Sequence, residues 1–245
     1  MADTITVRVL RYQPEAEEKT FWQEYEVPSR NDWVILDALN YIKDHLDGSL
    51  SFRWSCHMAV CGSCGMMVDD EPTLVCKAFL RDYPESIEIK PLANLPVHRD
   101  LMSDMDGFTD KLAKVKPYVI PAEAQSSEEG CQQSPEELAV FRQYTMCINC
   151  LLCYAACPQV GLNPGYIGPA ALSLAHRYNL DSRDTGRRER NEVTASDEGV
   201  WECTFVGECS EVCPKHVDPA GAIQQMKLAS SLDWLLDKLV RRDKS

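Results

Sequence analysis

The chain has 245 residues, 44% of them hydrophobic and 26% charged, with a formal net charge of −13 at pH 7. That length accommodates two compact domains, and the acidic balance weighs against nucleic acid as a partner, because phosphate backbones are bound by a surplus of Lys and Arg. The first residues, MADTITVRVLRYQPEAEE, lack the apolar run of a secretory signal, and no stretch reaches the length of a membrane span.

The protein is therefore expected in the cytosol, with any membrane contact made through partners. Residues 5–12, ITVRVLRY, place Ile5, Val7 and Val9 on one face at a period of two, and FWQEYEVP (21–28) repeats this with Phe21, Tyr25 and Val27, interrupted by Gln23. Ile35, Leu39, Ile42 and Leu46 then recur at helical spacing, with Asn31 or Asp32 as the candidate cap. A loop rich in Gly, Ser and Cys occupies 48–65. GMMVDDEPTLVCK reads as a hairpin across Asp69–Pro72, and SIEIKPL (86–92) as a last strand. Two strands, a helix and further strands around a cysteine loop predict a small α+β domain of β-grasp type over residues 1–97.

From about residue 98 the period changes. Leu101, Met105, Phe108, Leu112 and Val115 form a helical stripe, followed by a polar loop, PAEAQSSEEGCQQ, at 121–133. SPEELAVFRQY opens a helix with Ser134 as cap, Pro135 at its first position and Glu137 closing a capping box. Helical patterns return at 168–179 and from about Pro219 onward. Residues 98–245 are thus expected to be mostly helical with cysteine loops between helices, and the charged stretch 181–199 to lie exposed.

Twelve cysteines in a cytosolic protein read as metal ligands rather than disulfides, and eleven of them fall into three groups. Cys56-x4-Cys61-x2-Cys64-x11-Cys76 matches the plant-type [2Fe–2S] arrangement. Gly62 and Gly65 help its backbone turn N–H groups toward sulfur. Zinc is the alternative, although structural zinc favours two separated ligand pairs. Cys147-x2-Cys150-x2-Cys153-x3-Cys157-Pro158 is the complete bacterial ferredoxin run. In two-cluster ferredoxins the fourth cysteine of each run serves the other cluster, which assigns Cys147, Cys150, Cys153 and Cys213 to a [4Fe–4S] site. The remaining set is Cys157, Cys203 and Cys209, with Val206 where the second cysteine of the run CTFVGECSEVCP would stand. Valine offers no donor atom but can fill space and keep water out, and a cubane lacking one corner is a [3Fe–4S] cluster. Cys131, alone in the polar loop, carries no assignment. His57 and His216 neighbour cluster loops in hydrogen-bonding roles, and Trp54 and Trp201, two residues before a ligand each, are expected to pack over the clusters.

Three one-electron carriers of different type, with no nucleotide fingerprint, no nucleophile–base pair and no open metal position, describe an electron conduit between two-electron chemistries. The segments RWSCHMAVCGSCGMMV, CINCLLCYAACPQVGLNPGYIGPAALSLAHRYNLDSRD and WECTFVGECSEVCPKHVDP resemble the iron–sulfur subunit of the succinate dehydrogenase/fumarate reductase family over almost the whole chain, and most closely its bacterial quinol:fumarate reductase branch. The resemblance implies an N-terminal β-grasp, plant-type ferredoxin domain followed by a mostly helical bacterial dicluster ferredoxin-type domain. It implies docking of the first on an FAD-bearing catalytic subunit and of the second on two membrane-anchor subunits that bind quinone. The place implied is peripheral, on the cytoplasmic face of the bacterial inner membrane. The implied electron order, for anaerobic respiration, is menaquinol, [3Fe–4S], [4Fe–4S], [2Fe–2S], FAD, fumarate, with substrate chemistry in the flavoprotein.

After Cys157–Pro158 this chain has Gln159, Val160, Gly161 and Leu162, where succinate dehydrogenase relatives carry serine and a quinone-binding tryptophan. Their absence favours fumarate reduction over a succinate:quinone dehydrogenase running in reverse. Lys227 corresponds to a lysine that approaches the quinone in fumarate reductases, with a solvated helix lysine as the other reading. Cys64 stands where some relatives have aspartate and keeps the four-thiolate set intact. A free-standing soluble multi-cluster carrier and a zinc-bearing adaptor are the competing classes.

Overall fold

The computed structural model describes residues 4–16, 19–83, 85–122 and 132–242. Cys131 and most of its loop lie outside the described residues. The chain divides into two compact units, Met1–Met105 with Ile148–Ala156, and Asp106–Cys147 with Cys157–Ser245.

In the first unit, β1 (Thr4–Tyr12) runs antiparallel to β2 (Thr20–Pro28), with Thr4 opposite Pro28 and Tyr12 opposite Thr20. β3 (Gly65–Val68) and β4 (Glu71–Leu74) form a hairpin, and β5 (Ser86–Lys90) inserts between β1 and β3, parallel to the former and antiparallel to the latter. The strand order β2-β1-β5-β3-β4 is the β-grasp expected from the sequence. Alternation places Val7 and Val9 of β1 and Ile87 and Ile89 of β5 in the core. α1 (Ile35–Tyr41) adds Ile35, Leu36, Ala38 and Leu39, all fully buried. Asp69 and Asp70 take left-handed conformations, φ 47° and 67°, as a two-residue hairpin turn requires.

Two local expectations fail for identifiable reasons. The cap of α1 is Val34, whose N–H donates to the Asp37 carboxylate at 2.9 Å, rather than Asn31 or Asp32. Val34 forms a β-bridge with Phe79, and Ile35 N–H bonds to Ala78 C=O at 2.9 Å, so pairing with a distant segment sets the helix entry. Beyond Tyr41 the helix widens into a π turn, Ile42–Leu46, which rotates Leu46 off the apolar stripe and leaves it exposed. The stripe from Leu101 to Val115 is likewise helical only as α2 (Asp106–Lys114). Before it, β6 (Val97–Arg99) and β7 (Met102–Ser103) form a short ribbon. Between them Asp100, φ 45°, is buried and accepts from Arg11 Nε and the Ser51 N–H, each at 2.9 Å. Arg11 is itself fully buried, and Asp47 and Tyr25 accept from its Nη1 at 2.6 and 2.7 Å. This ion-pair centre fixes the 47–51 segment that leads into the first cysteine loop.

The second unit is helical. α3 (Pro135–Phe141) begins as expected, with Ser134 Oγ accepting from the Glu137 N–H and the Glu137 carboxylate accepting from the Ser134 N–H. A short helix, α4 (Leu152–Ala155), belongs to the first unit. α5 (Pro158–Leu162), α6 (Pro169–Asn179), α7 (Arg187–Thr194), α8 (Glu208–Glu211) and α9 (Pro219–Arg242) complete the set. α6 packs on α9, with Ala171, Leu172 and Ala175 buried on one helix and Ala222, Ile223 and Met226 on the other. The stretch 181–199 is not an exposed charged excursion. Arg190 is fully buried, bonded to both Asp184 oxygens at 2.7 Å and to the carbonyls of Lys116 and Tyr118.

Candidate functional site

Cys56, Cys61 and Cys64 lie in the loop before β3, and Cys76 follows β4, so the hairpin carries the fourth thiol back toward the first three. A bond from Val75 N–H to Cys64 C=O, 3.2 Å, ties the two ends together. Left-handed steps at His57, Ala59 and Gly62 curl the loop and turn its amides inward. Cys56 Sγ accepts from the N–H groups of Met58, Val60 and Cys61 at 3.4, 3.4 and 3.3 Å, and Cys76 Sγ accepts from Ala59 N–H at 3.3 Å. Hydrogen bonds from Ser63, helped by Cys56, draw the Cys61 thiol down to about 6. Burial pushes Cys64 up to about 12; the Cys76 backbone bond pulls against it, while the Cys76 side chain and the charges of Cys76 and Cys61 push the same way as burial. Four thiols supplied with backbone donors fit a group of thiolate-bound cations, which holds buried sulfur deprotonated. His57 Nε2 lies 3.0 Å from Asp37 Oδ1. Trp54 is half-exposed and stands edge-on to His57.

The complete bacterial run crosses the boundary of the two units: Cys150 and Cys153 belong to the first, Cys147 and Cys157 to the second. Within the first unit, Asn149 and Leu151 adopt positive φ, and Leu151, Leu152 and Tyr154 are buried. Asn94 Nδ2 donates to the carbonyls of Tyr154 and Ala155, each at 3.0 Å. No motif pointed to Asn94, because its partners lie sixty residues away.

In the second unit the thiols fall into two neighbourhoods. Cys147 and Cys213 both pack on the core cluster of Phe141, Tyr144, Val217 and Ala222, and Val217 N–H donates to Cys213 Sγ at 3.3 Å. Cys157, Cys203 and Cys209 instead line one shallow pocket with Val206, Pro158 and Ile223. Burial pushes Cys209 up to about 12, and the charges of Cys157 and Cys203 push the same way. Burial likewise raises Cys157, with Cys203 adding to it against the N–H groups of Val160 and Gln159 at the start of α5. Cys157 and Cys203 thus disfavour ionisation of Cys209, and Cys203 that of Cys157, unless a cation is shared; the donor set fits a three-thiolate group. Val206, on the rim of this pocket, is 57% exposed and brings no donor atom. Among the described residues no three His, Cys, Asp or Glu side chains converge as the ligands of a single ion; the thiols are grouped by loop and by shared electrostatics.

Lys227 is engaged rather than solvated. Its Nζ donates to Cys203 C=O at 2.7 Å and lies 5.9 Å from the Trp201 ring centroid. Trp201 is accordingly half-exposed against Lys227. Gln224, one turn earlier on α9, points its amide at Cys203 Sγ, 4.0 Å away. The spacing of Gln224 and Lys227 on one helix face was the available signal for it.

A family model described as 2Fe-2S iron-sulfur cluster binding domain matches residues 6–110, and one described as 4Fe-4S dicluster domain matches residues 139–214. The fumarate reductase iron-sulfur subunit of Escherichia coli O157:H7 is 54% identical, covering 97% of this chain and 98% of that one. Its Haemophilus influenzae counterpart is 52% identical, covering 96% of each. The succinate dehydrogenase iron-sulfur subunit of Coxiella burnetii is 35% identical, covering 91% and 95%. Among solved structures, a chain of the Mycobacterium smegmatis Sdh1 complex in the apo form superposes with a TM-score of 0.84 at 25% identity, covering 94% of this chain and 96% of that chain.

Proposed function

Since this chain belongs to the iron–sulfur subunits of the fumarate reductase/succinate dehydrogenase family, we propose that it carries single electrons from menaquinol to an FAD in a partner subunit, where fumarate is reduced. In this reading residues 1–97 form the flavin-side domain and residues 98–245 the quinol-side domain. Cys56, Cys61, Cys64 and Cys76 hold [2Fe–2S], Cys147, Cys150, Cys153 and Cys213 hold [4Fe–4S], and Cys157, Cys203 and Cys209 hold [3Fe–4S]. When bound, these clusters supply one-electron steps between two-electron partners.

The observation that carries the reading is the sorting of thiols in the second unit: Cys213 shares a core cluster with Cys147, while Cys209 shares a pocket with Cys157 and Cys203. That sorting supports the exchange of fourth cysteines expected of interleaved runs. The protein's own groups do the rest. Backbone amides donate to Cys56 Sγ and Cys76 Sγ, Val206 offers no fourth donor, and Lys227 and Gln224 hold the Cys203 loop at the quinol end.

Partner docking is supported by exposed apolar side chains at both ends. Trp54, Met58 and Val60 rim the first cysteine loop, and Trp201, Leu162 and Phe205 lie exposed in the segments around the three-thiol pocket. No helix among the described residues is long and apolar enough to cross a membrane, so contact with a membrane quinone falls to the two anchor subunits. The fumarate-reducing direction is supported by identity to fumarate reductase relatives of 52 and 54%, against 35% to the succinate dehydrogenase relative, and by Gln159–Leu162 after the run.

Redox titration of the intact membrane complex with electron paramagnetic resonance tests the reading. The expected result is one signal present only when oxidised, from the three-iron centre, and two that grow in at separate potentials on reduction. A colourless, zinc-loaded subunit, or one with two paramagnetic centres, would sink it.

A further inference from the structure

Gly62, one residue past Cys61, combines a positive φ of 74° with an unusually close neighbour. A Cβ built there would stand 2.9 Å from Cys150 Cβ, 2.9 Å from the Ile148 carbonyl oxygen and 3.1 Å from Cys150 Cα. Those atoms are backbone and the root of a side chain, so they cannot swing aside as the tip of a long residue would. Gly207 shows the contrast: its φ is 94°, yet nothing lies within 4 Å of the corresponding position, and backbone freedom alone accounts for that glycine. Gly65 repeats the close approach, at 3.1 Å from the Cys150 carbonyl oxygen and 3.1 Å from Leu152 Cδ2. Asn94 then secures the far end of the same segment through Tyr154 and Ala155.

We propose that Gly62 is the crossing point for electrons between the site served by Cys61 and the site served by Cys150, kept free of a side chain so that two ligand-bearing loops touch. This rests on the assignment of those cysteines to different clusters. The step moves one electron: the centre ligated by Cys150 is oxidised by one, the centre ligated by Cys61 is reduced by one, no bond changes and no proton moves. The contact is formed wholly within the first unit, by residues 62–65 against 148–152. A methyl group at position 62 would force these loops apart, and transfer between weakly coupled centres falls steeply with separation.

Two variants of the full complex test it. In Gly62→Ala, iron content and the individual resonances of the two centres should match the unsubstituted complex. The magnetic interaction between the two reduced centres should weaken, and the arrival of electrons at the flavin-side centre should slow several-fold. Asn94→Gly removes the clamp while tolerating the left-handed φ of 63° at that position, and should produce the same two changes more mildly. Full cluster content with unchanged interaction and rate in Gly62→Ala would overturn the proposal. If Gly62→Ala fails to load iron, the same unchanged pair of readouts in Asn94→Gly overturns it. Absence of either resonance from the unsubstituted complex would instead defeat the underlying ligand assignment.

Discussion

Val206 lines the pocket of Cys157, Cys203 and Cys209 with a side chain that cannot ligate. Replacing it with cysteine supplies the missing thiolate at the position where the bacterial run has one. In Val206→Cys the resonance of an oxidised three-iron centre should vanish, a four-iron centre should take its place, and electron exchange with quinol should weaken. Retention of the three-iron resonance at full intensity would show that another residue fixes the cluster type. The grouping of the thiols was legible in the sequence because their spacing follows loop geometry. Lys227 was singled out by the resemblance, but its bond to Cys203 C=O was not legible, since it spans 24 positions and follows no local period. Val206 was legible as a missing donor but not in its exposure, which depends on how its loop meets the helices around it.

Among the elements, α3 could be placed to the residue because its capping box is local, Ser134 and Glu137 bonding across a single turn. α7 could not, because a run of charges reads as solvated until its partners are known. Arg190 reaches Asp184 and the Lys116 and Tyr118 carbonyls, which lie before and far before it in the chain, and it thereby fastens the 116–120 strand of backbone beneath the helix. Burial alone would raise the Asp184 carboxyl, but the bonds from Arg190, Ile120 N–H and Gly186 N–H hold it below its ordinary value. Arg190→Ala leaves that buried carboxylate without its cation, and breaking a buried pair in this way costs about 3–5 kcal/mol. Denaturant unfolding should show the loss, and hydrogen exchange should localise it to 116–120 and 187–194. A change under about 1 kcal/mol would mean that solvent reaches Asp184.

At the scale of the whole molecule, the sequence divides at about residue 98, and CINCLLCYAACP reads as one continuous motif. The compact units divide differently, because Gly62, Gly65 and Asn94 draw Ile148–Ala156 into the first unit from well over fifty positions away. Periodicity finds elements and cysteine spacing finds clusters of thiols, but neither records which sheet a loop lies against. What the sequence did show of the second unit is its long final helix. Leu228, Leu232, Leu235, Leu236 and Leu239 of α9 are all exposed and recur at helical spacing, a continuous apolar stripe on a chain whose net charge is −13. In the proposed assembly that stripe meets the membrane-anchor subunits. Leu232→Glu together with Leu236→Glu alters only exposed side chains, so unfolding should shift by no more than about 0.5 kcal/mol per site. The doubly substituted subunit should nevertheless leave the membrane with its flavoprotein, losing quinol-driven fumarate reduction while keeping reduction driven by a soluble one-electron donor. Membranes that retain the substituted subunit with full quinol-driven activity would place the anchor contact elsewhere.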